Sequence, residues 1–264
     1  MNNKFDETYY QTKQKIMNIQ SKVALITGAS SGIGAGTATL LAANGVKVAL
    51  AARRVEKLKA LLKEIQRAGG EGLVVEMDVV DPASVKRGVE AVVKTYGTID
   101  ILVNNAGLMP LSDVESLKVD EWHRMVDVNI KGILNTTAAV LPILIKQNSG
   151  HIFNLSSIAG RKLFKGLSVY CATKHAIAAF SDIMRMEIAP KYKIRVTTLQ
   201  PGAVATELYD HITDPTYIKA MDDLAKQMTF LTPEDIAHSV LYALQAPDNV
   251  NVSEIFILPV EQGW

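Results

Sequence analysis

Val23-Ala24-Leu25-Ile26-Thr27-Gly28-Ala29-Ser30-Ser31-Gly32-Ile33-Gly34 is the stretch that decides the fold. Its first five residues form a continuous apolar run, as expected of a strand buried on both faces. Glycines 28, 32 and 34 then turn the chain into a helix predicted over 32–44 and stopped by Gly45. Gly28 permits the tight turn, Gly32 lets the backbone approach an anion, and Gly34 allows helix and strand to pack. With Ser30, Ser31 and Ile33 beside the unpaired N–H groups of a helix start, the turn reads as a cradle for a dinucleotide pyrophosphate. Alone, the same run is equally an ordinary strand–helix turn. Its order, T-G-x-x-x-G-x-G, differs from the commoner G-x-G-x-x-G.

Outward from this turn, strands alternate with helices. Further strands are predicted at 46–51, 73–77, 99–103, 151–155, 195–199 and 254–258. Leu58, Leu61, Leu62, Ile65 and Ala68 recur at helical spacing, with Lys57, Lys59, Lys63 and Arg67 on the solvated face. Asp81 caps a helix with Pro82 at its first position, and Thr232-Pro233-Glu234-Asp235 starts another. A long helix is predicted over 119–147, bent near Pro142, and one more over 169–188. The pattern predicts a single α/β domain, a doubly wound seven-stranded parallel sheet of Rossmann type with helices on both faces.

At 264 residues with 48% hydrophobic content, the chain can fill such a core without a second domain. A net charge of +1 gives no reason to expect nucleic acid or an acidic membrane as partner. The single cysteine, Cys171, excludes an intrachain disulfide and suits a reducing, cytoplasmic setting. No apolar stretch is read as long enough to span a membrane, and no metal-ligand spacing is present. Residues 1–20 read as an N-terminal extension, loosely held or with a short amphipathic helix over 9–16. Residues 21–264 read as the folded domain, with a lid over about 205–230.

Ligands of such sheets bind at the carboxyl ends of the strands, in the loops after residues 26, 51, 77, 103, 155 and 199. Tyr170 and Lys174 lie one helical turn apart, and Ser157 precedes the tyrosine by thirteen residues. A phenol titrates near 10, too high for an efficient base at neutral pH. An ammonium on the same helix face stabilises the phenolate and lowers that value. Ser157 can hydrogen-bond a substrate oxygen where charge develops. A nucleotide cradle plus a tuned phenol suggests hydride transfer to or from a carbonyl.

The run 27–34, Asn104-Asn105-Ala106-Gly107, Asn129, Ser157, Tyr170-Cys171-Ala172-Thr173-Lys174 and Pro201-Gly202 together resemble the short-chain dehydrogenase/reductases, single-domain branch, from about Lys22 onward. Residues 52–58, 156–161, 206–208 and 211–213 look most like NADPH-dependent aldehyde and ketone reductases such as clavulanate-aldehyde reductase. The resemblance implies Tyr170 as proton donor in reduction and base in oxidation, and Asn129 as a proton relay to Lys174. It places Asp78 and Val79 at the adenine, and Asn105, Ala106, Gly107, Tyr170 and Lys174 along the ribose and nicotinamide. It also implies cofactor contacts at Pro201 and Gly202, with Val204 and Thr206 after them in place to hold the carboxamide. Asp78 also reads as a plain turn residue, and Asn104 as a brace between strands. Where NAD-specific members carry an acid, this chain has Ala52, followed by Arg53 with Ser30, Ser31 and Arg54 nearby; NADP(H) is therefore expected over NAD(H). Substrate contacts are assigned to Met109, Ser157, Leu163, Phe164, Tyr170 and Leu208, a mostly apolar set suited to a medium-sized carbonyl or alcohol. A non-catalytic NADP-sensing regulator of the same fold is the alternative, though such proteins tend to lose the tyrosine or lysine. A homotetramer is expected, because 119–147 and 169–188 carry apolar residues on more than one face, and residues 255–264 suit a second interface.

Overall fold

The computed structural model describes residues 17–263; the expectations for residues 1–16 and for Trp264 lie outside them. Seven strands form one parallel sheet: β1 (Val23–Thr27), β2 (Lys47–Ala52), β3 (Gly72–Glu76), β4 (Ile101–Asn104), β5 (Gly150–Leu155), β6 (Ile194–Pro201) and β7 (Glu254–Ile257). Their order is β3-β2-β1-β4-β5-β6-β7, each pair parallel. The chain works outward from β1 in one direction, then restarts at β4 on its other side. That reversal opens a crevice at the carboxyl ends of β1 and β4, where a doubly wound sheet receives its ligand.

Alternation along each strand divides the core into two layers. Ala24 and Ile26 of β1, Val48 and Leu50 of β2, and Val103 of β4 pack with Ala38, Leu41, Leu58, Ile65, Val240 and Leu244. These last belong to α1 (Gly32–Ala43), α2 (Val55–Arg67) and α8 (Pro233–Gln245). Val23 and Leu25, Ala49 and Ala51, and Leu102 face the other way, onto Val85, Val89, Val140, Leu144, Met184 and Ile188. Those come from α3 (Pro82–Tyr96), α5 (Gly132–Gln147) and α6 (Ser168–Tyr192). A strand buried on both faces must be apolar at every position, which is what the continuous runs record.

The caps read from the sequence are present. Asp81 accepts from the Ala83 N–H with Pro82 opening α3, and Thr232 and Asp235 complete a capping box at α8. The region 119–147 differs from expectation. It comprises α4 (Val119–Val126), a π turn (Asp127–Lys131) and α5, so the run departs from α geometry at 127–131, while Pro142 lies inside α5. Pro142 and Ala138, whose carbonyl the proline leaves without an N–H partner, are both exposed, so water can satisfy it. This run is also long and apolar enough to cross a membrane by length and composition, contrary to the sequence reading. Here its buried side instead covers the sheet, as a core helix does.

The region expected to be a lid holds a 3₁₀ turn (Glu207–His211) and a further helix, α7 (Pro215–Gln227). Its signal was available: Asp214-Pro215 repeats the Asp81-Pro82 cap, and the Asp214 carboxylate accepts from the Thr216 N–H at 2.9 Å. A third apolar cluster lies under this region and joins Leu108, Met109, Leu111, Met125, Tyr170, Cys171 and Ile212.

Candidate active site

The glycine-rich turn is built as its sequence requires. Gly28 and Gly32 have φ of +66° and +53°, backbone that favours glycine. A Cβ on Gly28 would meet the Asn105 Nδ2 at 2.8 Å and the Ala106 Cα at 2.9 Å; one on Gly34 would meet the Gly28 carbonyl oxygen at 2.5 Å. Asn105 braces the turn from β4, its Nδ2 donating to the Thr27 oxygen at 2.9 Å and the Gly28 oxygen at 3.2 Å. Thr27 Oγ1 in return accepts from the N–H groups of Asn105 and Ala106. Ser31 stands at the N-cap of α1 but its side chain accepts from none of the opening amides, and the first turn contains no acid. The opening amides of α1 are thus left for an anion, and the residues fit a dinucleotide pyrophosphate.

One cavity of about 440 Å³ runs from this turn to the start of α6. Of the expected cofactor residues, Gly28, Ser30, Ser31, Gly32, Ile33, Arg53, Arg54, Asp78, Val79, Asn105, Ala106, Gly107, Tyr170, Lys174, Pro201, Gly202, Val204 and Thr206 line it. Gly34 does not, and acts by packing. Ser157, Met109, Phe164 and Leu208 line the other end. Leu163 is placed differently: its side chain is 80% exposed and stands outside the cavity, since the loop after the 3₁₀ turn at 158–160 points Phe164 inward instead. Asp78 lines the cavity, and its Oδ1 accepts from the Val80 N–H at 3.0 Å, a turn-residue contact. Asn104 is the strand brace it was read to be, donating to Asn154 Oδ1 at 2.9 Å and accepting from Thr136 Oγ1 at 2.6 Å.

Tyr170 and Lys174 project from the first turns of α6, both almost fully buried. Lys174 Nζ lies 5.5 Å from the Tyr170 ring centroid and donates to the Leu155 oxygen at 2.8 Å. Burial raises the Tyr170 phenol well above its ordinary value; a hydrogen bond with Ser157 acts against this, and nearby Tyr209 and Cys171 add to it. Burial lowers Lys174 to about 8. Desolvation thus dominates the phenol, with Ser157 rather than the lysine acting against it. Ser157 also accepts from the Ala159 N–H at 3.1 Å, which fixes its rotamer at the end of β5. Asn129 is fully buried in the π turn, outside the cavity wall. Its Oδ1 accepts from the Leu108 N–H at 3.0 Å, and its Nδ2 donates to the Leu108 oxygen at 3.0 Å and to Thr173 Oγ1 at 3.2 Å. It thereby pins the loop after β4 to the helix that carries Tyr170 and Lys174.

At the opposite end, Arg54 rather than Arg53 is held in place. Its guanidinium donates to Ser30 Oγ at 2.8 Å, Ser31 Oγ at 2.7 Å and Glu207 Oε2 at 2.7 Å. Arg53 is exposed and makes no side-chain hydrogen bond or ion pair among the described residues. The sequence reading missed Arg124 on α4, Glu207 at the start of the 3₁₀ turn, and Gln262, whose Oε1 accepts from the Ala203 N–H at 2.9 Å; Tyr209, Met221 and Leu224, which also line the cavity, fall in the segment read as the lid. Met221 and Leu224, three apart, were legible as a helical stripe; Arg124 and Gln262 carry no local signal.

A sequence model of the short chain dehydrogenase family matches residues 22–216. An uncharacterised oxidoreductase of Listeria innocua is 46% identical over 249 residues, covering 94% of this chain and all of that protein. Among solved structures, serine dehydrogenase in a closed form complexed with NADP+ has a TM-score of 0.85 at 33% identity, covering 92% of this chain and 96% of that one. An alcohol dehydrogenase of the archaeon Thermococcus sibiricus, complexed with 5-hydroxy-NADP, has a TM-score of 0.82 at 32% identity, covering 92% and 99%.

Proposed function

The chain belongs to the short-chain dehydrogenase family of oxidoreductases, and from that premise we propose that it is an NADP(H)-dependent carbonyl reductase and alcohol dehydrogenase. The observation that carries this reading is the shared wall: Ser157, Tyr170 and Lys174 line the same cavity as the glycine-rich turn. Bound NADP(H) supplies or accepts the hydride, and the protein's own residues handle the proton. In reduction, Tyr170 Oη gives its proton to the substrate oxygen, so the phenol O–H breaks as the product O–H forms. The phenolate left behind is unfavourable in a buried site, and the Lys174 ammonium stabilises it. Ser157 orients the substrate oxygen, its own hydroxyl held at the mouth of β5. Asn129 keeps the Leu108 loop and α6 in register and belongs to the route by which Lys174 regains a proton. In oxidation the same groups run in reverse.

Met109, Leu111, Phe164, Leu167, Leu208 and Met221 make the substrate end largely apolar, which supports a medium-sized carbonyl compound. Residues 205–230 serve as its lid. Preference for NADP(H) is supported by Ala52 at the end of β2, which presents no carboxylate, and by the two arginines that follow. The two solved structures named above hold NADP+ and a hydroxylated NADP. A homotetramer is supported by apolar faces left open: Leu134 and Ala138 on α5, and Ala172, Ala179 and Ile183 on α6, are exposed.

Spectrophotometric loss of NADPH against a panel of aldehydes and ketones tests the activity. Tyr170→Phe keeps the ring but removes the transferable proton, so it should abolish turnover while leaving NADPH binding nearly intact. Turnover by no carbonyl compound, or a variant retaining a tenth or so of the wild-type rate, rejects the assignment.

A further inference from the structure

Glu207 sits at the phosphate end of the cavity in an environment built for an anion. Its Oε1 accepts from Lys57 Nζ at 2.6 Å and its Oε2 from Arg54 Nη1 at 2.7 Å. Arg54 in turn grips Ser30 and Ser31 with Nε and Nη2, at 2.7–3.0 Å. Both donors lie at the start of α2, and the serines that hold Arg54 lie in the glycine-rich turn; the carboxylate comes from the far side of the crevice, in the lid region. The preceding residue, Thr206, lies over the turn: a Cβ on Gly32 would stand 3.0 Å from its Cγ2. These contacts hold the Glu207 carboxyl down at about 2, although the side chains are 40–49% exposed.

We propose that Glu207 is an internal stand-in for the 2′-phosphate of NADP(H) and thereby a specificity-determining residue. The 2′-phosphate displaces its carboxylate from Arg54 and Lys57, whereas NAD(H) binds with the carboxylate still in place. The inference rests on the NADP(H) reading above. A phosphate monoester carries about −1.5 to −2 charge and three acceptor oxygens against the single charge of a carboxylate, so exchange on the same two cations favours the phosphate. The ion pairs that must break subtract from NADP(H) affinity and leave NAD(H) affinity untouched. Displacement also releases the lid at its Glu207 end, which couples entry of the phosphorylated cofactor to movement of residues 205–230.

Glu207→Gln keeps the shape and removes the charge, and Glu207→Ala removes the group altogether. By titration calorimetry at low salt, both variants should bind NADPH at least about threefold more tightly than wild type, the scale of two weak, solvent-exposed ion pairs, with NADH changed less than about twofold. NADPH binding that is unchanged or weakened in the two variants, or NADPH and NADH altered equally, overturns the inference. A wild-type protein that does not prefer NADPH refutes the cofactor reading itself, and the inference falls with it. Preference for NADPH with an unshifted ratio in both variants refutes the inference alone.

Discussion

Carbonyl reduction should fall as pH rises through about 8, because Tyr170 can release its proton only beside a charged Lys174. Burial pushes the phenol up, so it stays protonated through the neutral range and its phenolate needs a cation close by. Lys174 Nζ is 5.5 Å from that ring, and burial lowers its own pKa to about 8. With that midpoint, roughly nine-tenths of the protein carries the ammonium at pH 7 and about one-tenth at pH 9. A plot of kcat/KM for NADPH-dependent reduction of one aldehyde should be level near neutrality and drop about tenfold per pH unit well above 8. Titration of Lys174 does not itself weaken the fold over this range. Lys174 holds its proton up to about 8 when folded but to 10.5 when unfolded. Between these values the unfolded chain binds more protons, so this residue's contribution to stability rises with pH, by on the order of 3 kcal/mol across the window, and is lost again as pH falls through 8. Lys174→Met has nothing to titrate, so its low residual rate should not vary from neutrality to about pH 9.5. A wild-type profile flat to about pH 9.5, or the same bend in Lys174→Met, refutes the reasoning.

Three further outcomes follow from other parts of the molecule. Ala52→Asp combined with Arg53→Ala adds a carboxylate against the 2′-phosphate and removes a cation, so the NADPH-to-NADH ratio of kcat/KM should fall about tenfold or more; a change within about twofold rejects the Arg53 assignment. Arg195, 8% exposed on β6, caps the end of α8 by donating to the carbonyl oxygens of Ala243, Leu244 and Ala246 at 3.1–3.2 Å. Arg195→Met leaves those acceptors unpaired and should cost about 2–4 kcal/mol, lowering Tm by roughly 5–10 °C in a calorimetric scan; a shift under about 2 °C rejects the cap. Light scattering at micromolar concentration should give a tetramer. A monomer rejects both proposed interfaces, and a stable dimer rejects the one assigned to the C-terminal end.

The sequence by itself determined what depends on neighbours along the chain. The continuous apolar runs of β1, β2 and β4 required a sheet covered on both faces, and both layers of helices are present. Asp81-Pro82 and Thr232–Asp235 marked helix starts because a cap is made within three residues. Tyr170 and Lys174 shared a helix face by spacing alone, and the three glycines specified a turn that no Cβ would fit. Tertiary structure alone decided what depends on residues far apart in sequence. The π turn at 127–131 forms where Asn129 ties Leu108 to Thr173, a choice invisible in the apolar periodicity of the run. Phe164 rather than Leu163 faces the cavity, because a loop has no period from which to read orientation. Arg54 rather than Arg53 is anchored because Glu207, 153 residues away, meets it across the crevice. Desolvation, not the neighbouring ammonium, sets the Tyr170 phenol, and desolvation is a property of everything packed around a group. Periodicity and capping are short-range and survive in the sequence; burial, and the long-range contacts of flexible polar side chains, exist only once the layers have closed.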